Sequence, residues 1–312
     1  MKKTVYKIAF ALSFILFSGV IFAQEIHVEG TKFVYPIVEK WLTEYKKENP
    51  KSSISLEANS SSQNENVSDL SIIVNSSSDD NAKDEKVVYV GRYALLPVSN
   101  AQNPLLEKAA KGLKKRDLIN LVFEKDALDE DFDPDEKSKY TATIYSRNNE
   151  SSTTLALAEY FDQTPERIKG KKIFGDEIYL LTAIQKDEKG VTFNTLNYVF
   201  DLQSRQLKSG ISLVPLQLKA KQKEAFESYN IDKLISLLEE SKIETIPVEN
   251  FGLQIPNEYF NNEEVVNFVN WILEHGQKYN HEYGFLNLDN KTLIFQKEQL
   301  DNNKTYLSYT KN

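Results

Sequence analysis

Cysteine is absent from the 312-residue chain, which removes disulfides, thiolate-built zinc or iron–sulfur sites, a thiol nucleophile and a thioether-linked lipid anchor together. Histidine is nearly absent. His27, His275 and His281 show none of the i,i+3 or i,i+4 spacing of a metal-binding helix. Positive charge is in deficit: 38 Lys and Arg face 46 Asp and Glu, a formal net charge of −8. The clustered cations that a nucleic-acid backbone demands are not expected from such a balance. No G-x-S-x-G elbow and no Walker-type loop occurs, so nucleophilic chemistry has no sequence support. The acidic run from Asp129 to Glu136 spaces its carboxylates like a calcium loop. It puts Pro134 where the turn needs Gly and Tyr140 where a bidentate Glu belongs, and reads as a solvated loop.

With 40% hydrophobic and 11% aromatic residues, a chain of this length can bury one large core or two modest ones, and two domains are the usual outcome. The start carries Lys2, Lys3 and Lys7 ahead of an apolar run from Ile8 to Phe22 that closes on Ala23. A membrane span needs about 20 apolar residues. This shorter run, broken by Ser13, Ser18 and Gly19, has the layout of a secretory signal peptide over residues 1–23, cleaved after Ala23. Removing it leaves 312 − 23 = 289 residues and, with three lysines gone, a charge of −11. The expectation is a soluble, periplasmic protein without a membrane anchor.

From Gln24 onward short apolar segments alternate with amphipathic ones, the pattern of an α/β fold with crossover connections. Strands are expected at 25–30, 53–58, 69–75, 140–147, 178–185 and 210–218. Helices are expected at 36–45, 113–123, 152–161, 232–240 and 262–279. Two extended segments, 87–99 and 243–255, are longer than an ordinary strand of about five or six residues and suit crossings from one domain to another.

Three hydroxyl-rich turns each follow a predicted strand: Gly30-Thr-Lys-Phe33, Ser60-Ser-Ser62, and Arg147-Asn-Asn-Glu-Ser-Ser-Thr-Thr154. The backbone N–H groups and dipole at a helix start favour anions, and Ser and Thr hydroxyls add neutral donors. Each turn taken alone reads first as an ordinary N-cap.

The order of these segments resembles that of the phosphate-binding components of bacterial phosphate ABC transporters, a branch of the periplasmic solute-binding proteins. The family's Gly-Ala/Ser-Thr-Phe-x-x-Pro and Trp-bearing helix are matched by Gly30-Thr-Lys-Phe-Val-Tyr-Pro36 and Trp41. Its Leu-x-x-Ile-Phe segment is matched by Leu118-Ile-Asn-Leu-Val-Phe123, and its Arg-x-x-x-Ser-Gly-Thr by Arg147-Asn-Asn-Glu-Ser-Ser-Thr153. Towards the end, Ile246-Pro-Val248, Trp271-Ile-Leu-Glu-His-Gly-Gln277 and Gly284-Phe-Leu-Asn-Leu288 echo further family segments.

The resemblance implies a type II periplasmic-binding-protein fold, two α/β lobes joined by two crossings. Lobe 1 would combine residues 24–92 and 247–312, and lobe 2 would be 93–246. It implies a monomeric, non-enzymatic protein without cofactor, which traps phosphate or a related oxyanion in the cleft and passes it to an ABC permease. The implied site comprises the backbone at Lys32 and Phe33, a hydroxyl among Ser60, Ser61 and Ser62, and Asn75, Arg147, Ser151, Ser152 and Thr153.

Three departures bear on specificity. Lys32 stands for a family Thr, Ser152 stands for a Gly whose backbone could adopt positive φ, and Val74, Asn75 or Ser76 stands where the family has an acceptor Asp. An alternative consistent with these substitutions is a degenerate member kept as an envelope scaffold or sensor. A hydrolase acting on phosphorylated substrates is a further alternative.

Overall fold

A computed structural model describes residues 25–57, 69–74, 85–125 and 139–310. Residues 1–23, expected as a signal peptide, Ser60 to Ser62, Asn75 and the acidic run from Asp129 all lie outside the described residues.

Nine strands, counted among those residues, form one continuous sheet: β1 Ile26–Gly30, β2 Ile54–Leu56, β3 Leu70–Val74, β4 Glu85–Asn100, β5 Thr143–Arg147, β6 Lys171–Ile173, β7 Gly190–Thr195, β8 Ile211–Leu213 and β9 Val248–Pro256. The order is β2-β1-β3-β9-β4-β7-β5-β6, with β8 also on β4. Sixteen residues long, β4 belongs to both halves. Its residues 85–94 pair antiparallel with β9, whereas 95–100 pair antiparallel with β7 and β8. Strand β1 is parallel to β2 and β3 in one half, and β5 is parallel to β6 and β7 in the other. Parallel neighbours need helical crossovers, so each half is an α/β unit. The architecture is the two-lobed periplasmic-binding-protein fold, with β4 and β9 lying side by side where the lobes join.

The principal helices are α1 Tyr35–Glu48, α2 Lys115–Val122, α3 Ser152–Tyr160, α4 Ile178–Gln185, α5 Ala220–Glu227, α6 Ile231–Glu240, α7 Glu263–Glu274 and α8 Asn290–Thr310. Helix α1 starts with Pro36 in its first turn, where a missing N–H costs nothing, and buries Ile37, Val38, Trp41, Leu42 and Tyr45 along one face. Its last turn closes when Asn49 donates both its N–H and its Nδ2 to the Tyr45 carbonyl, at 2.8 and 3.2 Å. Helices α6 and α7 open on Asn230 and Asn262, whose side chains accept from the N–H groups of the first turn.

The first lobe's core is built from both ends of the chain. Trp41 stacks on Phe251 (centroids 6.1 Å apart), Phe251 packs on Phe285 (5.1 Å), and Phe33 lies between Phe285 (6.2 Å) and Tyr93 (5.2 Å). The Trp41 indole N–H donates to the Gly276 carbonyl at 3.0 Å.

Two sequence expectations change. Residues 178–185, expected as a strand, are helix α4: Leu180, Leu181 and Ile184 are buried on one face, a helical rather than an alternating period. The single helix expected at 262–279 ends at Glu274, and a 3-10 turn follows at Gly276–Tyr279. Strands β6 and β7 and helices α5 and α8 were not anticipated from the sequence.

Candidate functional site

Strand β5 ends on Arg147, and a four-residue turn leads into α3. Ser151 occupies the N-cap position with extended backbone (φ −67°, ψ 132°), yet makes no capping hydrogen bond. Its hydroxyl instead meets the Thr153 hydroxyl, Oγ to Oγ1 3.1 Å. An N-cap serine ordinarily accepts from the second or third N–H of its helix. Ser151 does not, so the first-turn N–H groups of α3 are left uncapped by it. Ser152, the first residue of α3, is absent from the positive-φ residues Asp162, Arg205 and Tyr229. The glycine conformation at this position is therefore not used, and Ser152 is accommodated without backbone strain.

A carboxylate that the sequence reading did not single out completes this corner. Glu177 precedes α4 and is only 7% exposed. Its Oε1 accepts from Thr153 Oγ1 at 3.2 Å and lies 3.6 Å from Arg147 Nε. Its main-chain carbonyl accepts from Asn194 Nδ2 at 2.9 Å. Arg147 Nη1 donates to the Ile173 carbonyl at 3.2 Å, while Nε is buried with no hydrogen-bond partner among the described residues. Arg147, Ser151, Thr153 and Glu177 thus form one connected polar cluster. Beside it, a cavity of about 20 Å³ is lined by Arg147, Thr153, Ser146, Thr154 and Thr192 together with mostly apolar neighbours. That space suits a single water and is too small for a tetrahedral oxyanion.

Burial pushes the Glu177 carboxyl above the usual carboxylate range, and Asp176 adds to this, whereas the Arg147 charge and the Thr153 hydroxyl pull it down. Nearby, Tyr198 is raised by burial and by its hydrogen bond to Asp176.

The first lobe brings the segment after β1. Gly30 has φ +130°, and a Cβ there would stand 2.3 Å from the Ile72 carbonyl oxygen, so only glycine lets the chain turn this close to β3. The Tyr35 hydroxyl accepts from the Gly30 N–H at 3.1 Å and donates to the Gly30 carbonyl at 3.0 Å. Lys32 opens a 3-10 turn with its side chain exposed, whereas the Phe33 side chain is fully buried in the aromatic core. Only the main chain at Phe33 can therefore face a ligand. Its carbonyl accepts from Asn197 Nδ2, in the one-turn helix after β7, at 2.9 Å. Thr195 Oγ1 donates to Asn197 Oδ1 at 2.6 Å and the Thr195 N–H to Asn194 Oδ1 at 2.8 Å. A polar path consequently runs from Phe33 through Asn197, Thr195 and Asn194 to Glu177.

Of the sequence-derived site residues, the structure brings Arg147, Ser151 and Thr153 together at the start of α3, where Ser152 also sits. Lys32 and Phe33 lie on the first lobe. Ser60, Ser61 and Asn75 are not described. Glu177 was missed: an acid among 46 carries no mark of its own, and its partners are 24 and 30 residues away. Among the described residues, no group of three or more His, Asp and Glu could hold a metal ion, and no helix is long and apolar enough to cross a membrane.

No family model matches the sequence, and no curated protein does. Solved structures do match in fold. One is a Clostridium perfringens protein assigned as a phosphate ABC transporter substrate-binding protein, with bound phosphate: 16% identity, TM-score 0.55, covering 85% of this chain and 100% of that one. Another is an ABC-type phosphate transport receptor from Vibrio cholerae: 13% identity, TM-score 0.54, covering 84% and 99%. A Planctomyces limnophilus protein solved as a candidate phosphate binder has 12% identity and a TM-score of 0.50, covering 90% and 98%. At these identities the likeness is one of fold, and the fold is that of the substrate-binding proteins.

Proposed function

We propose that this is a non-enzymatic, periplasmic solute-binding protein, a distant relative of the phosphate-binding components. It would enclose phosphate or a related oxyanion between its lobes and deliver it to an ABC permease. On this reading the chain is secreted by cleavage after Ala23, lobe 1 comprises 24–92 with 247–312, and lobe 2 comprises 93–246. The observation that carries the proposal is the convergence of Arg147, Ser151 and Thr153 at a helix start that Ser151 leaves uncapped.

Arg147 supplies a charge-assisted donor through Nε. Ser151 and Thr153 supply hydroxyls, and the first turn of α3 supplies N–H groups and its dipole. Lys32 and Phe33 offer main-chain N–H groups from the other lobe, and Ser60 or Ser61 and Asn75 are placed there by the resemblance. Hinge motion at β4 and β9 would open and close the cleft. The acidic surface is compatible with this, since charges beyond a Debye length of about 8 Å are screened while groups in a dry cleft are not.

Calorimetric titration of the mature protein with phosphate, arsenate and sulfate tests the proposal. Saturable one-site heat with phosphate or arsenate is expected. No heat and no thermal shift at millimolar anion would contradict it.

The scaffold or sensor alternative gains support from Glu177, which already engages Arg147 and Thr153. It predicts that no oxyanion binds and that Arg147→Ala leaves cellular function intact.

A further inference from the structure

Arg147 and Thr153 are the two groups on which oxyanion binding would most depend, and a side chain of the protein itself already holds both. The Glu177 carboxylate, on a residue only 7% exposed, accepts from Thr153 at 3.2 Å and stands 3.6 Å from Arg147 Nε. Its fit is incomplete, since Arg147 Nε finds no hydrogen-bond acceptor among the described residues despite its burial. The strongest donor of the cluster is therefore attracted to Glu177 but not saturated by it. A carboxylate and an oxyanion carry the same sign and need the same two donors. Arg147 Nε and the Thr153 hydroxyl each carry a single hydrogen, so the carboxylate and an oxyanion compete for them.

We propose that the Glu177 carboxylate is a built-in occupant of the anion site, holding Arg147 and Thr153 until an oxyanion displaces it. The inference rests on the oxyanion reading above and adds to it a residue that sets both affinity and its dependence on pH. The Glu177 backbone is pinned by Asn194 at 2.9 Å, so displacement is a side-chain rotation rather than a movement of α4. Asn194 also lies on the polar path to Phe33.

The pH response follows from the groups that face Glu177. Arg147 from β5 and Thr153 from α3 favour the charged carboxylate, and burial and Asp176 disfavour it. Tyr198 from the turn after β7 hydrogen-bonds Asp176, and Tyr93 from β4 is a buried hydroxyl raised by burial, with Glu177 among the surrounding charges. The tyrosines are raised away from neutrality, and burial raises the Glu177 carboxyl as well. As pH falls, a proton on Glu177 removes the competing charge and frees Arg147. Anion affinity should then rise towards acid.

Sulfate keeps its charge between about pH 5 and 8, so any change in its affinity over that interval reports the protein. Wild-type mature protein and Glu177→Gln are titrated with sulfate and with phosphate at both ends of the interval. The expected result is an affinity in Glu177→Gln at least about tenfold higher than wild type at about pH 8, with the wild-type rise towards acid flattened. Equal or weaker binding in Glu177→Gln, with wild type binding normally, overturns the proposal alone and would make Glu177 an acceptor for the ligand. Absence of binding in both proteins overturns the oxyanion reading and the proposal with it. If Glu177→Gln does not fold, as judged by circular dichroism, wild-type sulfate affinity decides: a rise towards acid supports the proposal, and a flat or falling profile overturns it.

Discussion

Arg147 Nε and Glu177 Oε1 lie 3.6 Å apart, with side chains 12% and 10% exposed, and no hydrogen bond joins them. The pair is close enough to matter for stability and loose enough to be exchanged. Removing the cation should leave a buried carboxylate without its partner. Arg147→Ala is expected to cost about 1–3 kcal/mol in urea unfolding at about pH 8, and less as falling pH protonates Glu177, whose carboxyl burial raises. Adding Glu177→Gln to Arg147→Ala should recover much of the loss at the higher pH.

Asn197 joins the lobes through the Phe33 carbonyl. Asn197→Ala should weaken anion binding by about tenfold, the worth of one interlobe hydrogen bond. Thermal stability should change little, because neither lobe's core is touched. Titration beside a melting curve separates the two effects, and small-angle scattering should show a larger open population.

Trp41 anchors the first lobe by stacking on Phe251 and by its bond to the Gly276 carbonyl, across 235 residues of sequence. Trp41→Ala is expected to lower stability by about 3–5 kcal/mol in denaturant unfolding. Trp41→Phe, which keeps an aromatic ring, should cost distinctly less.

Where the lobes join, Glu249 on β9 is half-buried, and burial together with the charge of Glu159 pushes its carboxyl up to about 7 from 4.5. The folded protein therefore keeps a proton here over a pH range in which the unfolded chain has released it. This contribution to stability is complete below the unfolded value and is lost as pH rises through about 7. Glu249→Gln should thus gain stability relative to wild type as pH rises from about 5 to about 8, and partial exposure keeps the gain modest. Paired unfolding curves at the two pH values measure it.

Much of this molecule is legible in its sequence. Pro36 and the spacing of Ile37, Trp41 and Tyr45 mark α1, because a helix shows one face to the core every three or four residues. The unusual length of the segment around 87–99 marks the strand that serves both lobes. Residues 178–185 misled because Ile-Tyr-Leu-Leu-Thr-Ala-Ile-Gln is apolar over a strand-like length. The helical signal lies just ahead of it, where Asp176 accepts from the Ile178 N–H at 3.1 Å. Strand β7 carries little sequence signal, since Thr192, Asn194 and Thr195 are buried with hydrogen-bond partners, and buried polar residues do not announce a core strand. The site divides in the same way. Arg147, Ser151 and Thr153 are neighbours in sequence and could be read together, whereas Glu177 reaches them only through the parallel pairing of β5 with β6 and the turn that follows.

The most direct test of the oxyanion reading is a crystal structure of the mature protein grown with phosphate. Tetrahedral density should contact Arg147 Nε and the Thr153 hydroxyl, with the Glu177 carboxylate turned away from both. A structure at saturating phosphate in which Glu177 still holds Arg147 and Thr153, and no anion lies between the lobes, would contradict the account.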